Sequence, residues 1–290
     1  MKVKQYTNEE YQAVCDFLIT LNQQDKMHIN WNWARWEWMY QHPYFDHTLQ
    51  YTIGLWWDDD RIVGAAIYDL YHGEAFCGAL KGFEEILPEI LEYAYINLKD
   101  DNGLGIAVHD GNRKMHALLS ELGYQPADQT ETILRCSLEK EQDYVLPNDL
   151  TIREIHFPED SLTYQTVIWK GFDHEGDDKE LEKMLGNKFL PPHRRQDLCL
   201  ALVDGDGEFA AHCTCWYDER TDYAYVEPVC TIPKYRGIGL GKAVVLEALN
   251  RCRNLGAKEA FVISEQEFYK KLGFERHSRY TFYWKRETGR

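Results

Sequence analysis

The clearest pattern of hydrophobic and polar positions lies toward the C-terminal end of the chain. Residues 223–232 are rich in β-branched and aromatic side chains, which predicts a strand. From Ala243 to Cys252 the apolar residues recur at spacings of three and four, which predicts a helix that ends at Gly256. Between the two lies a glycine-rich segment, residues 236–242. The pattern therefore predicts a strand, a glycine-rich turn and an amphipathic helix in succession.

This turn suits a bound polyanion. The first N–H groups of a helix have no intrahelical acceptor, and the helix dipole adds partial positive charge there. A dinucleotide-binding fingerprint would need glycine at position 242, where the chain has Lys242. A P-loop would need glycine at position 236 and Ser or Thr at 243, where Arg236 and Ala243 stand. The pattern that remains is Arg-x-x-Gly-x-Gly, with its glycines at Gly239 and Gly241.

The elements after this turn continue the pattern. Residues 258–264 form a short apolar run that predicts a strand. Ser264 and Glu267 have the spacing of a capping box, which predicts that the next helix begins there. That helix carries Phe-Tyr-Lys-Lys-Leu-Gly-Phe at residues 268–274, and a closing strand follows at 279–285. Together with Arg-x-x-Gly-x-Gly, this order resembles the second half of a GCN5-related N-acetyltransferase (GNAT) domain.

The resemblance implies that acetyl-CoA is the cosubstrate. In this family the strand before the turn splays away from its neighbour, and its free backbone groups hold the pantetheine and polarise the thioester. The tyrosine of the Phe-Tyr-x-x-Leu-Gly-Phe helix, here Tyr269, faces the sulfur as proton donor; ordinary aromatic packing is the alternative in a chain with 19 tyrosines. The implied cofactor-binding residues are Val229, Cys230, Thr231, Arg236, Gly237, Ile238, Gly239, Leu240, Gly241 and Lys242.

A general base is also needed, because only a neutral amine attacks a thioester. Alternation along the strand predicts that Glu227, Val229 and Thr231 share one face. A carboxylate in so apolar a strand is costly unless it is paired or functional. Glu227 is therefore the first candidate for the base and Asp222 the reserve, while a paired structural glutamate fits the sequence equally well.

The chain repeats itself loosely. Leu-Gly-Tyr at 122–124 and Leu-Gly-Phe at 272–274 each follow a helix-like segment, and strand, turn, strand patterns occur at 52–68 and 198–216. We therefore expect an α/β (α+β) fold of two tandem GNAT-like domains, each a mixed, mostly antiparallel twisted sheet flanked by helices. The predicted domains are 1–140 and 150–290, joined by a polar linker at 139–149.

The first of these domains lacks Arg-x-x-Gly-x-Gly, so we predict that it does not bind CoA in the family's manner. It is either a scaffold or a contributor to the acceptor pocket. The organisation is similar to that of tandem acetyltransferases resembling mycothiol synthase. Four tryptophans within residues 31–38 predict either packing between the two domains or an aromatic wall of the acceptor site.

The charge of the chain limits the kinds of ligand that it is expected to bind. The net charge is −16, which disfavours nucleic acid as a ligand. Residues 172–182 concentrate acidic side chains, and these predict either a solvated face or a rim that attracts a cationic amine. The expected acceptor is therefore the primary amine of a small, cationic molecule, and a polyamine, an aminoglycoside or a lysine side chain would fit such a rim. An exposed sheet edge could pair two chains, so a homodimer is possible without being required.

The cysteine and hydropathy patterns argue against a disulfide-rich, a metal-binding, a secreted or a membrane-spanning protein. Eight cysteines in a chain of 290 residues do not suggest a disulfide framework. His212, Cys213 and Cys215 have no second Cys or His pair at zinc-site spacing, so we predict no metal. No signal-peptide pattern or long apolar run occurs, which predicts a cytoplasmic protein that does not span a membrane.

The prediction is an N-acetyltransferase that transfers acetyl from acetyl-CoA to an amine by direct attack. The alternative is a non-catalytic acyl-CoA-binding or protein-interaction module, in which Glu227 and Tyr269 have no catalytic role.

Overall fold

The computed structural model describes residues 1–42, 44–147, 149–174 and 191–287. The chain divides into two compact units, Met1–Ile133 with Arg276–Arg290, and Leu134–Glu275. These bounds differ from the predicted domains 1–140 and 150–290, because the last strand belongs to the first unit and the predicted linker belongs to the second. Across the described residues, no helix is long and apolar enough to span a lipid bilayer.

The elements are numbered in chain order over the described ranges. The helices are α1 (Tyr11–Gln24), α2 (Trp33–Gln41), α3 (Leu87–Asn97), α4 (Arg113–Glu121), α5 (Ser161–Gly171), α6 (Leu240–Leu255) and α7 (Glu267–Lys270). The strands are β1 (Lys2–Gln5), β2 (Gly54–Asp58), β3 (Arg61–Tyr68), β4 (Ala75–Ala79), β5 (Leu104–His109), β6 (Gln125–Ser137), β7 (Thr151–Glu154), β8 (Cys199–Val203), β9 (Phe209–Tyr217), β10 (Tyr223–Thr231), β11 (Glu259–Ile263) and β12 (Glu275–Lys285).

The first unit contains an antiparallel sheet in the order β1-β2-β3-β4, whose central hairpin β2-β3 confirms the predicted strand, turn, strand pattern. Its other strands have the order β5-β12-β6, and β12 is antiparallel to β5 with Val108 opposite Thr281. Helix α3 and the turn before it pack closely on the first sheet, because a Cβ at Gly64 would lie 2.7 Å from the side chains of Ile90 in α3 and Ile86 in that turn.

The tryptophan-rich segment belongs to the aromatic core of this unit. The ring of Trp31 stacks on Phe76 with centroids 5.5 Å apart and planes 3° apart. Trp36 is fully buried against the rings of Tyr6, Tyr11 and Tyr40. The packing alternative therefore holds for these two rings, in the core of a single unit. A place between the two domains stays a prediction.

The second unit contains the strand order β6-β11-β10-β9-β8-β7, beginning with the end of β6. Strands β7 to β10 pair antiparallel and β11 pairs parallel to β10. One core cluster joins the sheet to α6 and α7, and a second joins it to α5. Helix α6 ends where the sequence predicted, because Gly256 takes the left-handed conformation with φ +116°.

The predicted capping box is wrong. Ser264 Oγ accepts a hydrogen bond from the N–H of Gln266 at 3.1 Å, and no side chain caps the helix. Gln266 is still extended, so α7 begins only at Glu267 and is a single turn. Glu267 instead pairs with Lys270 on the same turn. The serine therefore stabilises the turn before the helix, because the helix starts too late for the box spacing.

Candidate cosubstrate and catalytic site

A gap opens between the two parallel strands of the second unit. Strand β10 pairs with β11 only from Tyr223 to Tyr225, although β10 continues to Thr231. Its register against β9 shifts between Val226 and Val229, so two residues oppose one. One of the two is Pro228, which has no N–H to donate to a neighbouring strand. These two features coincide with the point where β10 and β11 separate.

Val229, Cys230 and Thr231 are the residues of β10 predicted to bind the cosubstrate. The backbone of two of them faces this gap. The N–H of Ile232 donates to the Ala210 carbonyl of β9 at 3.0 Å. Because antiparallel strands alternate their hydrogen-bonding direction, the N–H and C=O groups of Thr231 and Val229 point away from β9. They are therefore directed to the side on which β11 has separated.

Cys230 does not share this orientation. It lies opposite His212 in the ladder, so its N–H is directed to β9. Its thiol lies in the core under α5 and donates to the Val167 carbonyl at 3.4 Å. Of the three strand residues predicted to hold the cosubstrate, Cys230 is therefore the one whose backbone is not available.

The glycine-rich turn leads from this strand into α6. Gly237 and Gly239 have φ of +81° and +90°, and a Cβ built on either would meet nothing within 4 Å. Among the described residues, no backbone carbonyl accepts from the N–H groups of positions 237–242. Position 241 requires glycine for a different reason, since a Cβ built there would lie 2.8 Å from Thr231 Oγ1. The start of α6 therefore lies directly against β10, with free donors on an open turn.

Arg236 stabilises the turn through its side chain. Its guanidinium donates to the carbonyls of Thr231 and Gly171 at 2.9 and 2.8 Å, and to the Asp173 carboxylate at 2.9 Å. Gly171 is the last residue of α5, so the arginine ties the end of that helix to the end of β10. The side chain thus positions the turn. Ile238 and Lys242 lie exposed on it.

These features fit the chemistry of acetyl-CoA. The turn at 237–242 offers unaccepted N–H groups at a helix N-terminus, which suits a diphosphate. The positive-φ glycines leave open space on that side. Beside them, the outward N–H and C=O of Val229 and the outward N–H of Thr231 can hydrogen-bond amides as an added strand would, while the Thr231 carbonyl already accepts from Arg236.

Glu227 lies at the start of the gap and is half-buried. The hydroxyl of Tyr225 donates to Glu227 Oε2 at 2.6 Å, and Trp216 Nε1 donates to the Glu227 carbonyl at 2.6 Å. The register shift places Glu227 opposite Thr214, whereas Val229 is opposite Cys213 on the other face. The prediction that Glu227, Val229 and Thr231 share a face is therefore wrong, since the extra residue reverses the alternation.

Tyr269 lies on α7 and is buried against the rings of Phe268 and Phe274. Burial raises the pKa of its phenol, and the nearby Cys213 and Glu227 raise it further. The phenol is therefore protonated at neutral pH. Glu227 and Tyr269 are thus close enough to interact electrostatically, and one of them keeps a proton to donate.

The reserve base Asp222 does not lie at the gap between β10 and β11, and most of the predicted acidic rim cannot be placed. Asp222 precedes β10 and its carbonyl accepts from Lys258. At about 3.3 Å per residue it lies roughly 20 Å from Val229. Residues 175–182 of the predicted acidic rim lie outside the described residues.

His212 has a structural role in the second unit. Its ring nitrogens lie 2.8 Å from the Leu200 carbonyl and 3.1 Å from Thr214 Oγ1. Burial lowers its pKa to about 3, so the ring is neutral. Cys213 and Cys215 belong to the core on the α6 side of the sheet, while His212 contacts Tyr164 of α5. These three residues therefore do not converge on one point.

Sequence reasoning missed two side chains that contact Glu227. Tyr225 is two residues before Glu227, and this spacing on a strand is a signal that could have identified it. Trp216 comes from β9, and its contact with the Glu227 carbonyl gives no local signal in the sequence.

Comparison with known proteins agrees with this architecture. Residues 161–274 match the model of the Acetyltransferase (GNAT) family. Glucosamine 6-phosphate N-acetyltransferase from Trypanosoma brucei brucei is 38% identical over 58 residues, which are 19% of this chain and 40% of that enzyme. The chain thus spans less than half the length of this curated relative.

Two solved structures extend the likeness to the whole chain. A tandem GNAT protein from the clavulanic acid biosynthesis pathway has a TM-score of 0.62 at 13% identity, covering 98% of each chain. A GCN5-related N-acetyltransferase from Sphaerobacter thermophilus has a TM-score of 0.56 at 13% identity, covering 98% of this chain and 95% of that one. The chain therefore has the fold of a tandem GNAT protein. Within it, the second unit carries the match to the Acetyltransferase (GNAT) family.

Proposed function

We propose that the second unit binds acetyl-CoA and transfers its acetyl group to the primary amine of a small acceptor. The observation that carries this proposal is the gap between β10 and β11, which is bordered by a turn with unaccepted N–H groups. The subtype resembling mycothiol synthase and a cytoplasmic location are finer parts of the same proposal.

In this proposal the backbone binds the cosubstrate. The N–H groups of positions 237–242 hold the diphosphate, and Val229 and Thr231 hold the pantetheine arm. Bound acetyl-CoA supplies an activated thioester carbonyl. A backbone N–H in the gap stabilises negative charge on the carbonyl oxygen, as oxyanion donors do. Arg236 contributes by fixing the turn through its three hydrogen bonds.

The side chains handle the protons. Glu227 accepts the proton of the attacking amine, directly or through water, and Tyr225 orients the carboxylate by its hydrogen bond. Tyr269 donates a proton to the departing thiolate, because its buried phenol stays protonated at neutral pH. A general acid or base contributes about 10²-fold to 10⁴-fold in rate.

The acceptor proposed is a small amine. The curated relative is named for glucosamine 6-phosphate, a small molecule with a primary amine. Glu227 is half-buried beside aromatic side chains, Tyr225 and Trp216, and such a group attracts a cationic amine. The first unit serves as a scaffold in this proposal.

A second candidate is a non-catalytic acyl-CoA-binding module. It is favoured by the hydrogen bonds of Glu227, since a carboxylate and carbonyl that both have partners also fit a structural role. In that case the cosubstrate binds and no acetyl group is transferred.

Calorimetric titration with acetyl-CoA tests the proposal. We expect one site per chain and expect Gly239→Asp to abolish binding, because the new carboxylate would repel the diphosphate. Gly207→Asp is the matched control, since Gly207 also has a positive φ of +85° and open space but lies in the β8-β9 turn. If the folded parent does not bind, or if both variants lose binding equally, the proposed site is wrong.

A further inference from the structure

Glu227 is held at two places, its carboxylate and its backbone carbonyl. The hydroxyl of Tyr225 donates to Glu227 Oε2 at 2.6 Å, and Trp216 Nε1 donates to the Glu227 carbonyl at 2.6 Å. Tyr225 and Trp216 are directly opposite each other in the ladder between β10 and β9. Opposite residues of an antiparallel pair share one face of the sheet. A single cross-strand pair therefore fixes both the backbone and the carboxylate of the proposed base.

The peptide group between Glu227 and Pro228 lies in the bulge of β10. The register against β9 shifts between Val226 and Val229, so this peptide group lies between two regular pairs. Proline has no N–H, and the carbonyl is therefore the one hydrogen-bonding group of this peptide group. Because the peptide group is planar, a donor to its carbonyl fixes the orientation of the whole group. The bond from Trp216 thereby also limits the direction in which the Glu227 side chain extends.

Burial of the indole alone does not explain this hydrogen bond. Within the part of the chain that the structure describes, Nε1 of Trp31 and of Trp36 is buried and has no hydrogen-bond partner. The fold therefore tolerates a buried indole N–H without an acceptor. Trp56 is as deeply buried as Trp216, each with 1% of its surface exposed, and donates to the side chain of Glu89 at 2.9 Å. Trp216 donates instead to the backbone of the residue that carries the proposed base.

We propose that Trp216 is a positioning residue for acetyl transfer. It acts through Glu227, because its indole N–H holds the bulged peptide group so that the carboxylate is directed to the attacking amine. In that step the amine nitrogen bonds to the acetyl carbon, its proton passes to Glu227, and the C–S bond breaks with the electron pair on sulfur. The inference rests on the proposed function. A displacement of about 1 Å can cost roughly 10²-fold in rate, so one hydrogen bond to the backbone is enough to affect turnover.

The kinetic test removes the indole N–H and keeps the ring. Trp216→benzothienylalanine places sulfur where the N–H stands at nearly the same ring size, and Trp216→Phe is the simpler variant. Thiol release from acetyl-CoA is measured with glucosamine 6-phosphate and with spermidine as amines. We expect kcat to fall about 10-fold in both variants, and KM for acetyl-CoA and for the amine to stay within about 2-fold of the parent. Trp56→benzothienylalanine is the matched control and should keep the parent kcat, because Trp56 donates to Glu89 of the first unit.

Double variants separate positioning from structural support. In Glu227→Ala no carboxylate is left to be directed, so adding Trp216→Phe should not lower kcat further. Combined with Tyr225→Phe, the losses should be less than additive, because both hydrogen bonds act on the same carboxylate. A tryptophan that only supports the fold would lower kcat by the same factor in every background.

NMR tests the hydrogen bond without turnover. The indole N–H signal of Trp216 is assigned as the one that Trp216→Phe lacks. We expect this signal downfield of those of Trp31 and Trp36, whose N–H groups have no acceptor among the described residues. It should keep its position in Glu227→Gln, because the acceptor is the backbone carbonyl.

Three results would overturn the inference. The first is a parent-like kcat in Trp216→benzothienylalanine. The second is a further loss from Trp216→Phe in the Glu227→Ala background, which would indicate a structural role. The third is an indole signal of Trp216 at the position of the signals without an acceptor. If the parent acetylates neither amine, the proposed function fails and the positioning role fails with it, while a downfield indole signal shows that the hydrogen bond itself is present.

Discussion

Each unit has a glycine-containing turn between a strand and the helix that follows it, after β4 in the first unit and after β10 in the second. Only the turn after β10 is open. In the second unit, the N–H groups of residues 237–242 have no acceptor among the described backbone groups. In the first unit, N–H groups of the turn after β4 have side-chain acceptors within the unit. The N–H of Gly82 donates to the Glu84 carboxylate at 2.8 Å, and the N–H of Lys81 donates to Gln24 Oε1 at 2.9 Å.

The backbone conformation is similar in the two turns, since Gly82 has φ +92° and Gly239 has φ +90°. The difference lies in the acceptor. The pKa of Glu84 is lowered by hydrogen bonds from its own N–H and from that of Gly82, with Lys114 and Lys81 adding smaller effects. The first unit thus carries an internal carboxylate at a place where the N–H groups of residues 237–242 in the second unit have no backbone acceptor among the described residues.

The largest effect should come from closing the open turn. Gly241→Val would place side-chain atoms against Thr231 Oγ1, which is already 2.8 Å from a Cβ at that position. We expect loss of acetyl-CoA binding in calorimetry and about 1–3 kcal/mol of destabilisation in urea unfolding. Gly205→Ala is the control, because a Cβ there meets nothing. Unchanged affinity in the valine variant would show that the start of α6 does not form the site.

The second-largest effect should come from the proposed catalytic side chains of the second unit. Glu227→Gln and Tyr269→Phe should each lower kcat by roughly 10²-fold and leave the Kd for acetyl-CoA unchanged. Controls come from a second Tyr-Glu pair of the same unit, Tyr144 and Glu247, joined at 2.7 Å. Tyr144→Phe and Glu247→Gln should leave kcat unchanged. If the two site variants turn over like the parent, the non-catalytic module is the better description.

A smaller effect is expected from the arginine that fixes the open turn. Arg236→Ala removes three hydrogen bonds between the turn, β10 and the end of α5. We expect acetyl-CoA binding about 10-fold weaker by calorimetry, because the turn must then be ordered on binding. Arg236→Lys should recover little, since an ammonium cannot reach three acceptors in a fixed plane. Arg220→Ala, at an arginine paired with Asp218, should bind like the parent.

The smallest effect should come from removing the internal anion of the first unit. Glu84→Gln should leave calorimetry at one acetyl-CoA per chain, because the N–H of Lys81 still donates to Gln24 Oε1 in that turn. If this variant binds a second acetyl-CoA, the carboxylate of Glu84 is what distinguishes the two turns, and the expectation of one site is wrong.

The same variant gives a pH signature. The folded-state pKa of Glu84 is below its ordinary 4.5, so its contribution to stability is present above pH 4.5 and is lost as pH falls through the folded-state pKa. Because Glu84 is exposed, the loss at pH 7 should be less than about 1 kcal/mol. Urea unfolding of parent and variant should converge in acid. Glu85→Gln, its exposed neighbour, is the control.

Local sequence predicted the turn and the helix after it, because glycine spacing and helical periodicity are short-range signals. It also predicted Glu227 as a candidate, since an acidic residue in an apolar strand is conspicuous. The face on which Glu227 lies was not predicted. Pro228 marks the bulge in hindsight, yet a register shift depends on how β9 pairs with β10, which no single strand encodes.

Other parts of the site depend on long-range contacts. The acceptors of Arg236 lie in α5 and β10, and the sequence suggested a contact with the cosubstrate instead. The domain bounds shifted for the same reason, as strand partners far apart in sequence decide where β12 belongs.

The position of β12 has a practical consequence for anyone who divides this protein. In the first unit β12 lies between β5 and β6, so residues 276–285 complete a layer that begins at residue 104. A fragment cut at residue 140 would present two unpaired edges where one strand should be, and such edges aggregate. During synthesis this layer must wait for the final strand, which makes the first unit by sequence the last to be finished.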